Sequence, residues 1–95
     1  MDANEFLKRY ADGQRNFRLQ SLKGLNLIKA NLKGIDLTGA NLSGSDLSYS
    51  DLGDVNLNWA TLTGVNLIGA NLKGAKMPNG TAHNDCLESA NYFGI

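Results

Sequence analysis

The residues best suited to chemistry are His83 and Cys86, within His83-Asn84-Asp85-Cys86, and the carboxylates Asp36, Asp46 and Asp51. An imidazole and a thiolate at that spacing are both zinc ligands. A tetrahedral site takes three or four protein ligands, however, and no second His/Cys pair exists to complete one. Clustered carboxylates suit acid–base chemistry, yet these three share a recurring position with asparagines, which makes them a structural series. No phosphate loop or nucleophile motif is present, and the glycines are spread along the chain. The expectation is a protein with no catalytic residues, no metal and no cofactor.

Composition narrows the class further. Ninety-five residues make one small domain, 42% hydrophobic but only 7% aromatic, so a conventional globular core would lack large anchors. Nine basic and nine acidic residues cancel. That balance argues against a nucleic-acid binder driven by counterion release, and equally against an acidic mimic of DNA. A single cysteine excludes an internal disulfide and fits a reducing compartment. The opening Met1-Asp2-Ala3-Asn4-Glu5 has neither the basic nor the apolar region of a secretory signal. No apolar run reaches the length of a membrane span. The expected setting is soluble and cytoplasmic, with a protein partner rather than nucleic acid or membrane.

What positions these residues is a repeat. Leucines recur in unbroken steps of five from Leu22 to Leu72, and Phe17 and Met77 keep the same phase at either end. Eleven of the 15 leucines fall in that unbroken series. A helix would rotate each one to a new azimuth, and a flat strand would alternate them between faces. Two residues before each centre the chain is small or aliphatic, as at Ala30, Ile35, Ala40, Ser45, Ser50, Val55, Ala60 and Val65. One residue before it stands Asn or Asp, and two after it glycine dominates.

Units such as Ala30-Asn31-Leu32-Lys33-Gly34 and Ala40-Asn41-Leu42-Ser43-Gly44 resemble the A-(D/N)-L-x-x consensus of the pentapeptide-repeat family, over about residues 15–79. The resemblance implies an all-β solenoid: a right-handed quadrilateral β-helix, one pentapeptide per side, of about three to four coils. In that frame the centre and the residue two before it point inward, and residues 20 apart stack. The all-glycine column Gly24, Gly44 and Gly64 then predicts type II corners. The mixed columns, Leu19-Gly39-Trp59-Asn79 and Lys29-Tyr49-Gly69, predict a different turn without positive φ at Tyr49 or Trp59.

A solenoid must protect its terminal coils. Residues 1–14 read as an N-terminal capping helix, with Asp2 and Glu5 in the pattern of a capping box and Gly13 as its stop. The stretch Phe6 to Arg15 resembles the N-terminal segment of short cyanobacterial pentapeptide-repeat proteins. Pro78-Asn79-Gly80 interrupts the repeat, and residues 80–95 are expected to form a lid or a degenerate final coil.

Function is therefore expected on the outside. The 20-residue arithmetic puts Ile28, Ser48, Ile68 and Glu88 in one exterior column, beside Lys29 and Tyr49. Ile28, Lys29, Tyr49 and Ile68 are the expected partner-binding residues, with a Lys29–Tyr49 cation–π contact holding the ring outward. The leading expectation is a non-catalytic protein-interaction or scaffold module, regulatory roles included, acting as monomer or homodimer. The alternatives are a DNA-mimic binder of a topoisomerase, as in some longer relatives, and a purely structural unit that forms oligomers.

Overall fold

The computed structural model describes residues 1–78 and the backbone of Asn91–Tyr92. Its organising contact is a hydrogen-bonded pairing of residues 20 apart. Parallel bridges join Asn16 to Asp36, Ser21 to Asn41, Asn26 to Asp46 and Asn31 to Asp51, and continue through Asn56 to Lys76. Each bridge is a two-bond unit: in the Asp36–Asn56 bridge Leu37 N–H donates to Asn56 O at 2.8 Å, and Asn56 N–H donates to Ile35 O at 3.0 Å. Four such units per turn of chain make a four-sided solenoid, the first coil being residues 15–34 and the second 35–54. Each side is one isolated bridge rather than an extended strand, because a corner follows within two residues.

The corners are alike. The residue after each turn closes it by donating to the centre, as Ala40 N–H does to Leu37 O at 3.0 Å. In the corner after Leu22 a hydroxyl is inserted instead. Leu25 N–H donates to Ser45 Oγ at 3.0 Å, and Ser45 Oγ donates to Leu22 O at 2.6 Å. Ten Asn and Asp side chains, from Asn16 to Asn71, accept from the N–H two residues on, which would otherwise lack a partner. The Asp series is thus confirmed as structural: Asp36, Asp46 and Asp51 occupy the same slot as the asparagines.

The expectation of two turn types is wrong. All twelve third-corner residues from Leu19 to Gly74 have positive φ, between 58° and 75°, including Leu19, Lys29, Tyr49, Asp54 and Trp59. The nine from Leu19 to Trp59 donate their N–H to a carbonyl of the next coil, as Tyr49 does to Ile68 O at 2.8 Å and Lys29 to Ser48 O at 2.9 Å. That ladder sets the corner geometry whatever side chain stands there.

The interior matches the inward assignment. Every centre from Phe17 to Met77 is buried, and so is the position two before it from Ile35 to Ala75. Leu25 and Ala30, in the first coil, are only partly buried and pack against the helix end of the core. Helix α1, Ala3–Ala11, lies there. Phe6 enters the core fully buried and meets Phe17 edge-on, with ring centroids 4.8 Å apart. Tyr10 Oη donates to Lys33 O at 2.6 Å, and the Arg15 guanidinium sits over the Tyr10 ring.

The helix ends follow from its sequence. Asp2 accepts from Glu5 N–H at 2.8 Å, while Glu5 pairs with Arg9, so only half of the capping box forms. At the other end Gly13, at φ 104°, and Gln14 donate to Tyr10 O and Arg9 O in a Schellman stop.

At the far end, strand β1, Val65–Asn66, pairs with β2, Asn91–Tyr92. The pairing is antiparallel, whereas a further coil would pair in parallel. The remainder of 79–95 lies outside the described residues, and with it His83, Cys86 and Glu88.

Because Ala40 and Ala60 stack in the filled interior and Thr63 stands outside, Ala60→Leu is expected to lower stability by about 1–3 kcal/mol. Thr63→Leu is expected to change it little. Urea unfolding of the two variants measures the contrast, and equal effects would contradict the inward assignment.

Candidate functional site

The interior of the described coils is filled by leucine and other apolar side chains, and no group of three potential metal ligands occurs among the described residues. No described helix is long and apolar enough to cross a membrane. Chemistry is left to the four corners and the sides between them.

The exposed large apolar residues fall on two diagonally opposite corners. One carries Leu19 and Trp59, each 81% exposed; the other carries Ile28 and Tyr49, at 43% and 60%. Sequence reasoning placed Ile28, Lys29, Tyr49 and Ile68 together, and the structure brings them to one corner, with Ile68 half-buried. Two details differ. Ser48, between the isoleucines in that column, is buried rather than exterior, as a small side chain stacked between larger ones must be. The Tyr49 ring is not held outward by Lys29; it leans over Gly69 in the next coil, against the place a Cβ would occupy.

That lean recurs. Leu19 lies over Gly39 and Asp54 over Gly74, each one coil on. A side chain at a positive-φ corner is thus directed toward the following coil, and glycine there leaves it room. Leu19 was missed as an exposed residue because its phase marked it only as a corner.

The corner bearing Asp54 is polar. Gly53 is the one glycine directly after a centre, and beside it Lys33, Asp54, Asn71 and Lys73 line a recess of about 260 Å³. Asp51 Oδ1 accepts from Gly53 N–H at 2.9 Å and from Asn71 Nδ2 at 3.2 Å. Between this corner and the Tyr49 corner runs the side that bears Asn31, Asp51 and Asn71.

Charge is sorted by coil, which the overall balance conceals. The first coil has five bases, Arg15, Arg18, Lys23, Lys29 and Lys33, and no acid. The second has four acids, Asp36, Asp46, Asp51 and Asp54, and no base. The ion pairs among the described residues are Lys8–Asp12 and Arg9–Glu5, in α1 and its C-cap, so Lys29, Lys33 and Asp54 have no ion-pair partner among the described residues. Dividing the sequence into 20-residue blocks would have exposed this pattern.

The Pentapeptide repeats family matches in eight copies, over residues 21–58 and 40–79. The chain belongs to the pentapeptide-repeat family, whose members are generally non-catalytic and whose architecture implies a right-handed quadrilateral β-helix. Among solved structures it is similar to the pentapeptide repeat protein Rfr23 from the cyanobacterium Cyanothece 51142. The identity is 37% over 70% of this chain and 46% of that one, with a TM-score of 0.65. It is also similar to HetL from Nostoc sp. strain PCC 7120, a pentapeptide repeat protein involved in heterocyst differentiation regulation. There the identity is 41% over 72% of this chain and 36% of that one, with a TM-score of 0.34. The chain therefore spans less than half the length of either relative. No curated protein matches.

The lean of Tyr49 generates a test. Gly44→Ala meets open space and carries only the positive-φ cost, about 1–2 kcal/mol. Gly69→Ala adds a collision with the Tyr49 ring and is expected to destabilise further. In the Tyr49→Ala background the two glycine substitutions should become equal by thermal melting.

Proposed function

We propose that this protein is a non-catalytic scaffold module that binds protein through the corner bearing Ile28, Lys29, Tyr49 and Ile68. The observation that carries the reading is Tyr49: a bulky aromatic, 60% exposed, at a φ of 58°. Glycine would fit that corner without strain, and strained side chains on a surface point to use. The ring rests on a rigid coil, so an anchoring contact would lose little side-chain freedom, as suits a binding hot spot. Leu19 and Trp59, on the opposite corner and also at positive φ, favour a second contact. A rod with apolar ridges on two opposed corners suits a scaffold that joins partners. The topoisomerase-mimic alternative is disfavoured by the bases of the first coil, which interrupt any acidic face.

The test replaces Ile28, Tyr49 and Ile68 together with serine, verifies the fold by circular dichroism, and repeats affinity capture from the native host. The folded variant is expected to lose the partner that the parent retains. Retention of every captured protein would overturn the assignment and shift it to the Leu19–Trp59 corner.

A further inference from the structure

The side between the Tyr49 and Asp54 corners has its charges in bands. In the first coil it carries Lys29, Asn31 and Lys33; in the second, Tyr49, Asp51 and Asp54. Three of the five non-glycine residues at positive φ, Lys29, Tyr49 and Asp54, border this one side. The chain tolerates strain here to display an ammonium, a ring and a carboxylate. The lysines and Asp54 make no ion pair with another described residue. Beside Asp54 lies the recess at Gly53, open where neighbouring coils carry Lys33 and Lys73.

We infer that this side is the contact for a second copy of the chain, packed antiparallel. The inference rests on the reading of the Tyr49 corner as an interaction surface and names its occupant. Consider a two-fold axis lying in the contact plane, perpendicular to both rods and level with the gap between first and second coils. Rotation about it reverses the rod and keeps each corner opposite its own counterpart. Coil one of each copy then faces coil two of the other.

Lys29 meets Tyr49 of the second copy, in the cation–π pairing that the single chain does not make. Asn31 meets Asp51. Lys33 meets Asp54 of the second copy, at the rim of the recess that Asp54 lines with Asn71 and Lys73. Each contact occurs twice, as an isologous interface requires. Parallel packing in register would instead set the lysines of one copy against those of the other, so the bands select the antiparallel arrangement. The two coils that face each other, at strand spacing, give a contact only about 10 Å long. The pairing is therefore weak and sensitive to salt, since its charges lie at a rim that counterions reach.

Sedimentation equilibrium of the intact chain at several hundred micromolar tests this, in low and in high salt. The parent is expected to dimerise in low salt and to dissociate as salt rises. Lys33→Asp and Asp54→Lys should each weaken the dimer on the order of ten-fold or more, because each sets like charges face to face twice. A one-to-one mixture of these two variants should dimerise again, and so should the Lys33→Asp/Asp54→Lys double variant, with the fold verified by circular dichroism. Recovery in the mixture is the result that loss of folding cannot imitate. A parent that sediments as a monomer in low salt overturns the inference, and so does a dimer indifferent to both single substitutions. Either result leaves the Tyr49 corner free for a different protein, because the serine variant tests that corner without touching Lys33 or Asp54.

Discussion

The hydrogen bond that each corner N–H donates to the coil above it is the constraint on which this structure depends. It holds the third corner residue in the left-handed region at the nine corners from Leu19 to Trp59, whether that residue is glycine or tryptophan, and Gly64, Gly69 and Gly74 share the conformation. A left-handed corner costs an ordinary residue about 1–2 kcal/mol, yet a single break would unpair the chain on both flanking sides. The ladder therefore prevails over local preference. This is why a reading by residue type predicted two turn classes and the structure has one. Glycine frequency at the corners records the cost of the conformation rather than its presence.

The same ladder explains what was legible and what was not. Phe17, Met77 and the leucines between them were recognisable because the interior admits one large and one small residue per side, which imprints a strict period. The Asn and Asp slot was recognisable because each corner leaves one N–H that a short side chain reaches. Side-chain direction was not recognisable. That Tyr49 leans over Gly69 and Leu19 over Gly39 follows from the left-handed corner, which had not been assigned to those residues. Nor did the repeat foretell the hydroxyl of Ser45 within the corner of Leu22 and Leu25, since serine there looked like one more small inward residue.

Helix α1 obeys different rules and was read by them. Its limits are legible from Asp2, Glu5 and Gly13, the residues of its caps. Phe6 closes the core by meeting Phe17, while the Tyr10 hydroxyl satisfies Lys33 O, a carbonyl with no lower coil to accept from. The helix thus treats both problems of an exposed solenoid end, the apolar interior and the unpaired edge. Strand β2 meets the edge at Val65–Asn66 by antiparallel pairing, a different solution to the same problem.

Because backbone and interior alone determine the coil, the outward positions are free to carry information without endangering the fold. Lys33 and Asp54 stand on one corner, Lys33 directly after its centre and Asp54 at the positive-φ position, and both side chains point out of the ladder. Net charge is the least informative summary of such a surface. It is zero here, although five bases occupy one coil and four acids the next. Those coils are separated by about 4.8 Å, less than the Debye length of about 8 Å at physiological ionic strength. A distant ligand therefore meets an almost neutral rod, and long-range steering toward nucleic acid or membrane is weak. A ligand in contact resolves the bands, and only one with matching bands at the same spacing can satisfy both together. Selectivity in any such contact would therefore derive from a spacing that the ladder sets.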